Sequence, residues 1–364
     1  MQASEYKPID WHKSQWATLL GSGLERIAHA NLLTGPAGVG KHQFAAQLGA
    51  LLLCEQLVAA PPGSAELSQA CGSCPSCHWL DSDSHPDFRH VCADADSDAE
   101  AEETATRATD SKKKRASSVI KIDAIRALED FVYVGSHRQG RRVVLISDAD
   151  QMNGPAANAL LKILEEPPAS VYFILVTSRL RVLLPTIRSR CRLLAFRGPP
   201  RDQAEAWLRT HEADSRSGKF LDVAGGAPLQ VLEWQKQGVL SALENALEAL
   251  SRAREPLALA KEWDDLLKRE PILTLDMLVE AVQRWLLDAT LIGAGLPVRY
   301  HSRWNLPERS KVAALPVATK GWRELLRFKR SARHPLNQQL FLEEFSVFVL
   351  HALNSAGAGS VRAA

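Results

Sequence analysis

The sequence predicts an α/β fold, a parallel sheet domain built on a phosphate loop, followed by a wholly helical remainder. Three observations carry this. A glycine-rich loop, Gly35-Pro36-Ala37-Gly38-Val39-Gly40-Lys41-His42, sits between an apolar Leu32-Leu33 and a helical stretch from Phe44 to Leu53. Further apolar runs, Val143–Ile146 and Tyr172–Thr177, are separated by helical periodicity, the pattern of buried parallel strands. From Pro199 onward the periodicity is helical only.

The chain has 364 residues, and its length suggests about two to three domains. Hydrophobic and charged fractions of 46% and 24% are ordinary for a soluble protein. A net charge of +2 is too small to argue for nucleic acid by itself. No apolar run reaches membrane-spanning length, and Met1-Gln2-Ala3-Ser4-Glu5-Tyr6 does not read as a signal peptide. A cytoplasmic protein with no membrane partner is the expectation. Its six cysteines then read as metal ligands or free thiols rather than disulfides.

Within 5–30, Trp11, Trp16, Leu19, Leu20, Leu24 and Ile27 are spaced for an amphipathic helix. In the loop that follows, Gly35, Gly38 and Gly40 free the backbone to turn N–H groups inward, and Lys41 would reach terminal phosphates. The next position normally carries a Ser or Thr hydroxyl for Mg²⁺. Here it is His42, and a neutral imidazole is a poor ligand for that hard cation. The loop therefore suits phosphate better than metal, and a chance glycine turn is the competing reading.

Cys54, Cys71, Cys74 and Cys77 follow, the last three as C-x₂-C-x₂-C. Four thiolates suit tetrahedral Zn²⁺ in a closed structural site. An iron–sulfur cluster would need a further cysteine where Asp81 stands. Cys54 is the least certain ligand, with His78, His85 and Cys92 as rivals. Residues 93–118 turn acidic and then basic (Lys112-Lys113-Lys114-Arg115) without large apolar residues, so a disordered surface insertion is expected. The lysine run reads as a solvated loop tip, with DNA contact as the alternative.

Ile120, Ile122, Ile125, Leu128 and Phe131 mark a helix, and Arg141–Asp150 a buried strand with its exit. Phosphate-loop ATPases end this strand in Asp-Glu, for metal and attacking water; Ser147 and Asp148 hold those places, with Asp150 displaced along the chain. The helix through Ala156–Glu166 stops at Pro167-Pro168. Pro185-Thr186-Ile187-Arg188-Ser189-Arg190-Cys191 precedes a short strand at 192–196. Beyond it, helices are expected over 203–210, 229–253, 256–269, 273–296, 318–332 and 336–355, with Gly225-Gly226-Ala227-Pro228 as a break.

Several of these segments together resemble the bacterial clamp-loader subunits of DNA polymerase III, of the AAA+ group. They are the degenerate loop, the cysteine module, His85-Pro86-Asp87, Asn158-Ala159-Leu160-Leu161-Lys162-Ile163-Leu164-Glu165-Glu166-Pro167-Pro168, and Ser189-Arg190-Cys191. Motor members, gamma and tau, keep Lys-Ser/Thr and Asp-Glu; this chain keeps neither pair, retains Ser-Arg-Cys, and so is similar to the stationary members. The retained Lys41 departs toward the motors.

The resemblance implies an AAA+ domain with zinc module over 1–197 (module 54–77, insertion 93–118), a helical lid over 198–240 and a helical collar over 241–364. It implies zinc as structural cofactor, ATP only at a neighbouring subunit's site, and no intrinsic ATPase activity. Arg190 would act there in trans as an arginine finger, with Ser189 and Cys191 as motif neighbours and Arg188 and Arg192 as the arginines most easily confused with it. Partners would be gamma/tau and delta, with sliding clamp and primed DNA reached through the complex. A motor ATPase and a zinc-stabilised DNA-repair adaptor are the rival readings.

Overall fold

The computed structural model describes residues 9–21, 23–58, 68–93, 119–133, 140–211, 216–302, 315–332 and 337–354. The expected insertion lies almost wholly outside them. The chain divides into two compact units, 1–197 and 198–364.

The first unit holds five parallel strands: β1 (Ala30–Thr34), β2 (Phe88–Val91), β3 (Arg142–Ile146), β4 (Val171–Thr177) and β5 (Arg192–Ala195). Their order is β2-β3-β4-β1-β5. The register pairs Leu32 with Leu175 and with Leu193, and Ile146 with Leu175. Alternation along the central strands β1, β3 and β4 supplies two apolar faces, as a sheet covered on both sides requires.

Leu32, Val144, Ile146, Phe173 and Leu175 form one core with Ile125 and Leu128 of α4 (Ile122–Tyr133) and Leu160, Ile163 and Leu164 of α5 (Gly154–Glu165). Across the sheet, α2 (Lys41–Leu53) packs on β3 and β4. There Gly49 comes so close to Phe88 that an added Cβ would sit 3.3 Å from its ring. Asn153 caps α5 by accepting the Ala156 N–H at 2.8 Å. Pro167-Pro168 stands just past its end.

Several elements differ from expectation. The long first helix is a 3₁₀ turn, then α1 (Lys13–Leu20) and a second turn over Leu24–Arg26, with Gly21 and Gly23 between them. The helix expected from Ile120 begins at Ile122, because Ile120 bridges to Met152. The edge strand β2 is apolar only at its two ends, too short and too mixed to stand out in the sequence. Residues 185–190 are a helix, α6 (Pro185–Arg190), and 75–81 another, α3 (Pro75–Asp81), each opened by a proline in its first turn.

The second unit is helical. Its elements are α7 (Arg201–Thr210), α8 (Ser217–Val223), α9 (Pro228–Lys236), α10 (Val239–Arg252), α11 (Pro256–Arg269), α12 (Leu275–Gly293), α13 (Leu315–Ser331) and α14 (Gln338–Asn354). The single helix expected over 229–253 is two, since Gly238 adopts φ +76°, a left-handed turn that glycine takes at no steric cost. Trp263 anchors this unit: fully buried, it donates to Ala246 O at 3.1 Å and lies beside Phe345. Buried Asp288 accepts the Arg299, Tyr300 and His301 N–H groups, fixing the turn after α12.

Candidate functional site

The loop between β1 and α2 has the strand–glycine–helix context that phosphate binding uses. Its glycines are demanded by close approach. A Cβ at Gly35 would lie 2.3 Å from Phe196 O, and one at Gly40 2.6 Å from the His12 ring. The N-terminal segment holds the loop down: Trp11 Nε1 donates to Val39 O at 3.0 Å, and His12 Nε2 donates to the same oxygen at 2.8 Å. His12 is buried against Phe44 and Phe196, and burial pulls its pKa from 6.5 to about 4.

Lys41 is where the geometry departs most from an open phosphate site. It is 2% exposed, and Nζ donates to Gly35 O at 2.9 Å, Pro36 O at 2.6 Å and Ser178 Oγ at 3.1 Å. An ammonium has three N–H donors, so all three are spent within the chain. Burial lowers its pKa to about 8, although Asp148 and Asp150 pull the other way.

His42 occupies the place of the metal-binding hydroxyl. Its Nδ1 lies 3.4 Å from Ser147 Oγ and its Nε2 3.9 Å from Asp148 Oδ1. Burial holds its pKa below the ordinary histidine value, against the pull of Asp148 and with the push of Lys41. Ser147 also meets His90 Nε2 at 2.7 Å. Asp148 takes φ +48°, a conformation aspartate tolerates better than most residues. Asp150 is engaged within the chain: its oxygens accept from Thr177 Oγ1 and from Arg179 Nε, each at 2.6 Å. Burial alone would raise its pKa, but these hydrogen bonds hold it below the usual carboxylate value.

Among the described residues, one group could hold a metal: Cys54, Cys71, Cys74 and Cys77, whose sulfurs all lie within 4.8 Å of one another. Cys54 and Cys74 are 4.0 Å apart, close to the roughly 3.8 Å edge of a tetrahedron with Zn–S bonds of about 2.3 Å. Backbone N–H groups already point at sulfur, Cys71 N to Cys54 at 3.2 Å and Cys74 N to Cys71 at 3.2 Å. Burial raises the Cys71 pKa, yet N–H donors from Ser73 and Cys74 outweigh it and bring the thiol to about 6. This donor set fits a tetrahedral thiolate metal, and Cys54, at the end of α2, is the fourth member.

The rivals to Cys54 fall outside the group. His85 is used otherwise: Nδ1 accepts the Asp87 N–H at 3.0 Å, so Nε2 carries the proton and donates to Ser76 Oγ at 2.7 Å. Ser76 passes its own proton to Leu53 O at 2.7 Å, tying α3 to the end of α2. Asp87 in turn lies 3.5 Å from Arg142 Nε, both fully or nearly buried. The His-Pro-Asp segment thus fastens the cysteine module to the sheet.

Arg190 closes α6 on the surface, its side chain 35% exposed. Its neighbours hold the turn. Ser189 Oγ donates to Thr186 O at 3.0 Å, and Cys191 is buried in the core, where burial raises its thiol to about 11. Arg192 is committed within the chain, donating to Thr18 O at 2.6 Å. Arg188 is exposed.

A family model described as "DNA polymerase III, delta subunit" matches residues 15–200. DNA polymerase III subunit delta' of Pseudomonas aeruginosa is 33% identical over 261 residues, 70% of each chain. This chain belongs to the DNA polymerase III delta prime family. The Yersinia pestis delta' is 28% identical over 359 residues, covering 92% of this chain and 93% of its own. A Mycobacterium bovis gamma/tau subunit is 33% identical over 214 residues, 57% of this chain and 32% of its own. The sheet domain of this delta prime chain carries the strand, glycine loop and helix that the motifs predict. Among the described residues no helix is long and apolar enough to cross a membrane.

Sequence reasoning missed His12, Ser178 and Arg179 and read Trp11 only as part of an amphipathic helix, because each acts on the loop or on Asp150 from a distant part of the chain. For His12 the signal available was its place beside Trp11 and Trp16 in the first apolar segment.

Two outcomes are expected. His12 has a folded pKa below its unfolded one, so the unfolded chain takes up the proton first. Stability from this group is full above about pH 6.5 and is lost as pH falls toward 4. Urea unfolding should lose on the order of 2–3 kcal/mol more over that range in wild type than in His12→Gln; equal slopes would remove His12 from the account. Elemental analysis should return about one zinc per chain, lost in Cys74→Ser together with a lower melting temperature. Metal-free, fully stable protein would contradict the zinc assignment.

Proposed function

We propose that this chain is a stationary, non-hydrolysing subunit of a DNA polymerase III clamp loader, which completes the ATP site of a neighbouring gamma/tau subunit with Arg190. The observation that carries the reading is the state of the loop. The three donors of Lys41 are spent on Gly35, Pro36 and Ser178, and His42 and Ser147 stand where a motor would bind Mg²⁺. A site of that composition favours neither γ-phosphate nor metal. Arg190, at the centre of the Ser-Arg-Cys run, keeps its guanidinium partly exposed at the surface.

Phosphoryl transfer builds negative charge on the γ-phosphate oxygens, and a planar guanidinium stabilises it with paired N–H donors, which lysine cannot reproduce. Cys54, Cys71, Cys74 and Cys77 would hold zinc as a structural ion, stiffening the link after α2. Residues 198–240 would act as lid and 241–364 as the collar joining gamma/tau and delta subunits. The assembled complex would open the sliding clamp and place it on primed DNA.

The test is ATP turnover by a loader reconstituted with clamp and primed DNA, comparing wild type with Arg190→Ala. Arginine fingers are worth about 10³–10⁵ in GTPases, and a loss of at least about tenfold, with assembly intact, is expected at the affected site. Unchanged turnover would remove Arg190 from the chemistry.

A further inference from the structure

Arg190 is held by two contacts within its own chain. Its Nη1 donates to Thr186 O at 3.1 Å, one helical turn back, and its Nη2 donates to Glu165 Oε1 at 2.6 Å. Glu165 is the last residue of α5, and α5 is fixed by Leu160, Ile163 and Leu164 in the core. The base of Arg190 is fixed in the same core by Ile187 and Cys191. The carboxylate and the guanidinium therefore meet from two independently anchored helix ends.

We infer that Glu165 is a positioning residue for Arg190. The inference rests on the proposed role of Arg190 in a neighbour's ATP site. A guanidinium carries five N–H donors in a rigid plane. Two are used here, leaving three for an acceptor outside the chain. A long exposed arginine otherwise samples many rotamers, and each must be frozen out before the transition state is met. The carboxylate holds one of them before the neighbour arrives. Glu165 is itself half exposed, so it can be changed without opening the core.

The experiment uses the full-length chain in the reconstituted loader, with clamp and primed DNA. ATP turnover is measured for wild type, Glu165→Gln, Arg190→Ala and the double variant, after gel filtration shows equal assembly. An exposed ion pair of this kind sets the scale, and Glu165→Gln should lower kcat about two- to fivefold with KM little changed, less so at high salt. In the Arg190→Ala background the same substitution should change nothing further, because its effect passes through the arginine. Unchanged or faster turnover in Glu165→Gln, or an equal loss in both backgrounds, would overturn the positioning role. Unchanged turnover in Arg190→Ala would instead overturn the role of Arg190.

Discussion

A buried ammonium must have its hydrogen bonds met, and the chain meets those of Lys41 by itself. The three acceptors come from Gly35, Pro36 and Ser178, so the loop after β1 is tied to the exit of β4. An unpaired buried charge would cost several kcal/mol, which makes this arrangement the point the loop's geometry turns on. Gly35 must lie against Phe196, Val39 O must be held by Trp11 and His12, and Gly40 must clear the His12 ring. In a motor the same lysine must face phosphate. Here it faces its own loop.

The loop and the Ser-Arg-Cys run are treated differently. On the loop side the polar groups are consumed: Lys41 by carbonyls, Asp150 by Thr177 and Arg179, Ser147 by His90. On the side of α6, the Ser-Arg-Cys run uses its flanking residues to hold the turn and leaves the central guanidinium with donors to spare.

Much of this was legible. The strands of the sheet centre are continuous apolar runs, and the helix closed by Pro167-Pro168 ends within a residue of where the prolines place it. The cysteine spacing named three ligands of the proposed site. Cys54 was the least certain fourth, because its place depends on where α2 ends, and the structure brings it to the other three. What was not legible depends on long-range approach. Ser178 reaches Lys41 across 137 residues of chain, and Glu165 reaches Arg190 across 25. The pattern around 229–253 reads as one helix because Leu, Val and Ala continue through Gly238, and only its left-handed backbone breaks it.

The most direct measurement is single-turnover ATP hydrolysis by the purified chain alone with Mg²⁺, beside Lys41→Ala as control. No hydrolysis above the Lys41→Ala background is expected. Mg²⁺-dependent turnover that Lys41→Ala abolishes would mean that the lysine leaves its carbonyls for phosphate and that the chain is a motor.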